Sequence, residues 1–208
     1  MEIEATTKTK ILGAAERLFA EKGVAASSLR EITQAAEVNL AAVHYHFGSK
    51  DGLVRELVQL RFAPVNAARL RGLDELEETL GGDPIPLPDL LRVFLKPALL
   101  EFSDPDSVFP RFIGRLHLEP HPDLMGWMQE VFQPVVDRFL GAMERSLPHV
   151  PKSVLLLRTS FMVGSMIHLL SCGRQHLGVF RCCVPAAADS GMVLEQLVGY
   201  SAAGLAHV

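Results

Sequence analysis

Residues 28–53 read SLREITQAAEVNLAAVHYHFGSKDGL. Ser28 and Glu31 have the spacing of a capping box, in which the serine hydroxyl accepts an N–H of the first turn and the glutamate reaches back to the serine N–H. A helix of about two turns follows, with Leu29, Ile32, Ala35 and Ala36 on its inward side. Glu37 and Val38 break it. Asn39 is a second capping residue and opens another short helix, Leu40 to His46. Phe47-Gly48-Ser49 ends that helix, and Ser49 caps a longer one through Leu53, Leu57 and Leu60. Two short helices joined by a turn of about three residues form a helix-turn-helix, the arrangement that presents its second helix to a DNA major groove. On this pattern Val38, Val43 and Phe47 belong to the small core of the unit.

Upstream, Ile11, Leu12, Ala15, Leu18 and Phe19 recur with the period of a helix. Thr6 or Thr7 is expected to cap its start, and Lys22 with Gly23 to end it. Downstream, the run Gly81 to Pro88 is a loop with Asp89 as the next cap. Helical patterns then cover 89–102, 107–119, 122–147, 151–175 and 189–206, with Pro97, Pro110 and Pro134 inside them or near their starts. No segment alternates as a strand does, so the chain is expected to be all-α, in about nine helices. Val154 to Leu170 is apolar but carries Arg158, Thr159, Ser160, Ser165 and His168. It reads as a buried helix and not as a membrane span.

The chain has 208 residues, 49% of them hydrophobic, enough for a stable core without disulfides or metal. Its net charge of −4 argues against a nucleic-acid binder that works by bulk charge. The charge is uneven: residues 5–55 hold seven basic and five acidic side chains, whereas 56–208 hold 13 and 17. Three cysteines, Cys172, Cys182 and Cys183, make no disulfide framework, and Met1 to Ala5 is no leader; a cytoplasmic protein is expected. His117 and His121 are four apart but separated by Pro120, which spoils their alignment as metal ligands. No nucleophile elbow, phosphate loop or Cys-x-x-Cys is present, so no catalytic residue, metal or cofactor is expected.

With AAERLFAEKG (Ala14 to Gly23) ahead of it, the 28–53 stretch resembles the DNA-binding head of the TetR family of transcriptional repressors. NLAAVHYHFGSK is most similar to the fatty-acid-responsive, PsrA-like members, and FPRFIGRL (Phe109 to Leu116) points the same way. The resemblance covers about the first 55 residues. It implies a head at 1–55, a ligand-binding and dimerisation domain at 56–208, and a homodimer on a palindromic operator in double-stranded DNA. It further implies that Ser28 and Lys50 hold phosphates, and that Leu40, Ala41, Ala42, His44, Tyr45 and His46 lie on or near the reading face. The commoner motif has Gly, Thr and Tyr where this chain has Ala41, Ala42 and His44, which moves readout from hydroxyls towards methyl contacts and the imidazole.

The middle helices hold more large apolar side chains than a slim bundle needs. Phe94, Phe112, Trp127, Met128, Phe161, Met162 and His168 are candidates to line a pocket for a small apolar effector, an acyl compound among them, with Arg115 or Arg111 as the cationic handle for a carboxylate or phosphate head. Small residues at Gly199, Ala202, Ala203 and Gly204 allow close helix approach, which suits a dimer through the last two helices. The expected function is an effector-released repressor. The alternative is an all-helical small-molecule binding protein without specific DNA readout.

Overall fold

The computed structural model describes residues 2–101, 107–118, 123–172 and 190–207. Among them are nine α-helices and no strand: α1 (Glu2–Lys22), α2 (Leu29–Ala36), α3 (Leu40–Phe47), α4 (Lys50–Leu80), α5 (Leu87–Glu101), α6 (Phe109–Leu118), α7 (Leu124–Ser146), α8 (Lys152–Cys172) and α9 (Ser190–Ala206). Cys182, Cys183 and His121 lie outside the described residues, as do the side chains of His117 and Cys172.

Packing divides the chain into two compact units, residues 1–62 with 106–129, and residues 63–105 with 130–208. In the first unit α1 is the centre, packed against α2, α3 and α6. Its apolar stripe buries Ile11, Leu12, Ala15 and Phe19, and Ile32, Val43, Leu53 and Leu57 are buried in the same unit. Phe19 stacks on Phe112 at 5.9 Å between ring centroids, and Phe62 meets Phe109 edge-on at 5.4 Å. These two aromatic pairs tie α6 to the head, so the head's packing runs past residue 55 and takes in a helix that the sequence division puts in the other domain. Glu16, almost fully buried on the same stripe, is paired with Arg61 of α4.

The second unit buries Leu73 of α4, Leu90, Leu91 and Leu95 of α5, Val135 and Phe139 of α7, Leu155 of α8, and Leu194, Leu197 and Val198 of α9. Ion pairs at its surface join α5 to α9 through Arg92 and Glu195 at 2.8 Å, and α4 to α7 through Arg138 with Asp74 at 2.6 Å and Glu77 at 2.8 Å.

Several expectations need correction. Helix α1 starts at Glu2, not at a Thr6 or Thr7 cap. Helix α5 starts at Leu87, and Asp89 sits in its first turn, because the Pro86 carbonyl already accepts from the Asp89 and Leu90 N–H groups. On α2, Ala35 is exposed and Thr33 is buried in its place, its hydroxyl satisfied by the Arg30 carbonyl at 2.9 Å. Val43 is fully buried, but Val38 and Phe47 are only half-buried. Helix α8 is not a buried helix. By length and composition it could cross a membrane, yet among the described residues it buries the stripe Leu155, Met162 and Met166 and leaves Leu156, Leu157 and Phe161 exposed.

Candidate nucleic-acid interface

Each joint of the 28–53 stretch is fastened locally. The Ser28 hydroxyl accepts from the Glu31 N–H at 3.2 Å while the Glu31 carboxylate accepts from the Ser28 N–H at 2.9 Å, the full capping box. Glu37 ends α2 in the left-handed region, at φ 55°. Asn39 Oδ1 accepts from the Ala42 N–H at 2.9 Å and starts α3. Ser49 Oγ accepts from the Gly52 N–H at 3.0 Å and starts α4. The loop before α2 is held from a distance, since Lys50 Nζ donates to the carbonyls of Val24 at 2.9 Å and Ser27 at 3.0 Å.

These fastenings present one face of α3. Val43 points inward, and Leu40, Ala41, His44 and Tyr45, at helical spacing i, i+1, i+4, i+5, are exposed, with Tyr45 75% so. Ala42 and His46 flank the face, half-buried. No acidic residue occurs from Val38 to Lys50. The ring of Tyr45 stands edge-on to His46 at 5.0 Å. His44 Nδ1 lies 3.0 Å from the Gly48 carbonyl, which can only accept, so Nδ1 carries a hydrogen. At about 1.5 Å per residue, an eight-residue helix reaches a handful of base pairs.

The two residues expected on phosphates are already employed. The Ser28 hydroxyl donates to Glu31 Oε2 at 2.9 Å, and Lys50 spends two of its three donors on carbonyls. Both therefore set the position of α2, with one Lys50 donor to spare.

Two family models match this chain. Residues 11–57 match the bacterial regulatory proteins of the tetR family, and residues 92–204 match the tetracyclin repressor-like C-terminal domain. The chain belongs to the TetR family. Its likeness to curated TetR-family relatives lies mainly in the head. It is 43% identical over 56 residues to the probable HTH-type transcriptional regulator YttP of Bacillus subtilis, 27% of each chain. It is 35% identical over 79 residues to the HTH-type transcriptional regulator AcrR of Shigella flexneri, 38% of this chain and 35% of that one. The matched stretches thus span about a quarter to a third of those relatives. Over nearly the full length, the fold is that of a TetR family transcription regulator from Marinobacter aquaeolei, with a TM-score of 0.68 at 15% identity, covering 98% of this chain and 97% of that one.

The eight residues expected around an effector fall four to each unit: Phe112, Arg115, Trp127 and Met128 in the first, Phe94, Phe161, Met162 and His168 in the second. Phe112 is fully buried in the head, and Arg115 Nε donates to the Ala20 carbonyl at 3.0 Å, in the last turn of α1 where carbonyls lack helical partners. Phe161 and His168 are exposed, whereas Phe94 and Met162 are buried. A groove of about 600 Å³ on the head, between α1 and the end of α2, is lined by none of the eight. One buried cation escaped the sequence reading: Arg69 on α4. Its signal was a basic residue on the apolar row of Phe62, Val65 and Leu73, where the helical period calls for a hydrophobic side chain.

Proposed function

We propose that this chain is a cytoplasmic repressor that binds a palindromic operator as a homodimer and is released by a small apolar effector, an acyl compound among the candidates. The head, residues 1–55, reads DNA; residues 56–208 carry the effector and the dimer contact. The observation behind this reading is the exposed face of α3. Leu40, Ala41, His44 and Tyr45 stand exposed on one side of the helix, and three caps and the Lys50 tether hold that helix in place. Small side chains at Ala41 and Ala42 let the helix approach the groove floor and meet a thymine methyl, and Tyr45 and His44 reach phosphate or a base edge. A ligand that favours one spacing of the two heads over another by about 1–3 kcal/mol changes operator affinity roughly 5- to 150-fold.

Selection of genomic fragments by the purified protein tests the reading. A two-fold symmetric site with strongly salt-dependent affinity is expected. Within it, His44→Ala and Tyr45→Ala change which base is preferred, at a cost of about 1–3 kcal/mol per lost contact. Lys50→Ala weakens all sequences alike. Weak binding indifferent to sequence would overturn the operator reading in favour of a helical binding protein without DNA readout.

A further inference from the structure

Arg69 is 2% exposed, within the second unit. A guanidinium has five N–H donors and a permanent charge. Here Nε donates to the Phe94 carbonyl at 2.8 Å and Nη1 to Asn66 Oδ1 at 3.1 Å, Nη2 lies 3.9 Å from the Met166 thioether, and the Phe94 ring centroid is 4.3 Å from the guanidinium carbon. All of these partners are neutral. No carboxylate among the described residues is paired with it, whereas Arg92, Arg138 and Arg145 of the same unit all reach one. Burial lowers its pKa to about 10, which leaves it charged at neutral pH.

A charge removed from water without a counter-ion weighs against the folded state. The fold itself explains only part of this arrangement. Phe94 lies three residues before Pro97, whose ring removes an N–H from α5 and crowds the carbonyls one turn back. One neutral donor would serve that carbonyl; a cation with two hydrogens still unassigned exceeds the need. The groups around it, the Phe94 ring and the Met166 thioether, are apolar and adaptable.

We infer that Arg69 anchors the acidic head of an amphipathic anion, a carboxylate or phosphate on an apolar tail, seated among α4, α5 and α8. A guanidinium fork grips either head with two parallel hydrogen bonds. This rests on the proposed effector role of residues 56–208 and narrows that effector from apolar to anionic.

Calorimetric titration of the full chain, without DNA, with dodecanoate, dodecyl phosphate and dodecanol tests it. At least one acid is expected to bind tenfold or more tightly than dodecanol, and the tighter of the two identifies the head group. Arg69→Met removes that preference and leaves the ligand-free Tm equal or higher, because it removes a buried charge. If Arg69→Met does not fold, Arg69→Gln, which keeps neutral donors for Phe94 and Asn66, takes its place. Overturning results are no acid preference in the wild type, a preference that survives the substitution, or loss of folding in both variants, which would give Arg69 to the fold. Operator affinity measured in parallel separates the two readings. Acid binding that leaves operator affinity unchanged faults the release step, and release that ignores Arg69 faults this site alone.

Discussion

Glu31 closes the capping box with Ser28 and, from the same carboxylate, accepts a 2.7 Å hydrogen bond from Lys22. The Lys22 ammonium first, and then the Ser28 N–H and hydroxyl, hold its carboxyl well below the usual range, at about 2. The Lys22 pKa is raised in turn, chiefly by the hydrogen bond to Glu31. A carboxyl whose pKa falls on folding stabilises fully above its unfolded value of 4.5, and loses that contribution as the pH falls through about 2. The lysine side is complete below its ordinary 10.5 and is lost as the pH rises through its higher folded value. Glu31→Gln is therefore expected to lower Tm at pH 7 and to melt together with the wild type near pH 2. Circular-dichroism melts across that range check it; a gap that persists at pH 2 would assign the effect to something other than ionisation. The box itself was legible from four letters, because both partners lie within one turn. Lys22, nine residues away, and the Lys50 bonds to Val24 and Ser27 were not, because only the packing of α1 and α4 around the loop brings those groups together.

At the scale of elements, the joint between α3 and α4 depends on a close approach. A Cβ on Gly52 would lie 2.0 Å from the Phe47 carbonyl oxygen, a backbone atom that no rotamer change can move. Gly52→Ala is expected to force the end of α3 away from α4, at a cost of about 1–3 kcal/mol as for other overpacked sites, and to weaken binding to every operator variant alike. Gly126→Ala, on α7 with open space around it, is the control and leaves both quantities unchanged or raises stability slightly. Urea unfolding and operator titration of the two variants read the difference; equal behaviour would show that the joint yields at no cost. Helix existence was legible throughout from apolar period and proline punctuation. Partners were not: the amphipathic pattern of FPRFIGRL requires that α6 bury Phe109 and Phe112, but nothing in it says that the buried face meets Phe19 and Phe62 of the head. The same limit hid the hydrogen bond that Arg115 gives to the Ala20 carbonyl at the end of α1.

For the whole molecule, a 49% hydrophobic composition has to be reconciled with the apolar surface that one protomer leaves in water. On α8 the exposed positions Leu156, Leu157, Ser160, Phe161 and Gly164 share one face, and none of them is charged. On α9 the face opposite Leu194, Leu197, Val198 and Ser201 carries Met192, Gln196, Gly199, Tyr200 and Ala203, and its one nearby charge, Glu195, is paired with Arg92. Uncharged faces with small residues among large ones suit a two-fold helical contact, in which each residue is buried twice. Under that reading a single Phe161→Glu substitution places two carboxylates in the interface, neither with a counter-ion. It is expected to weaken dimerisation at least 100-fold while leaving helicity intact, since Phe161 is 61% exposed in the protomer. Val136→Glu, at another exposed apolar position but on α7, leaves the dimer unchanged. Sedimentation velocity over a concentration series reads both, and operator titration adds the functional consequence: binding by Phe161→Glu becomes steeply dependent on protein concentration because two heads must assemble on the site. Dissociation caused by Val136→Glu and not by Phe161→Glu would move the interface from the last two helices to α7.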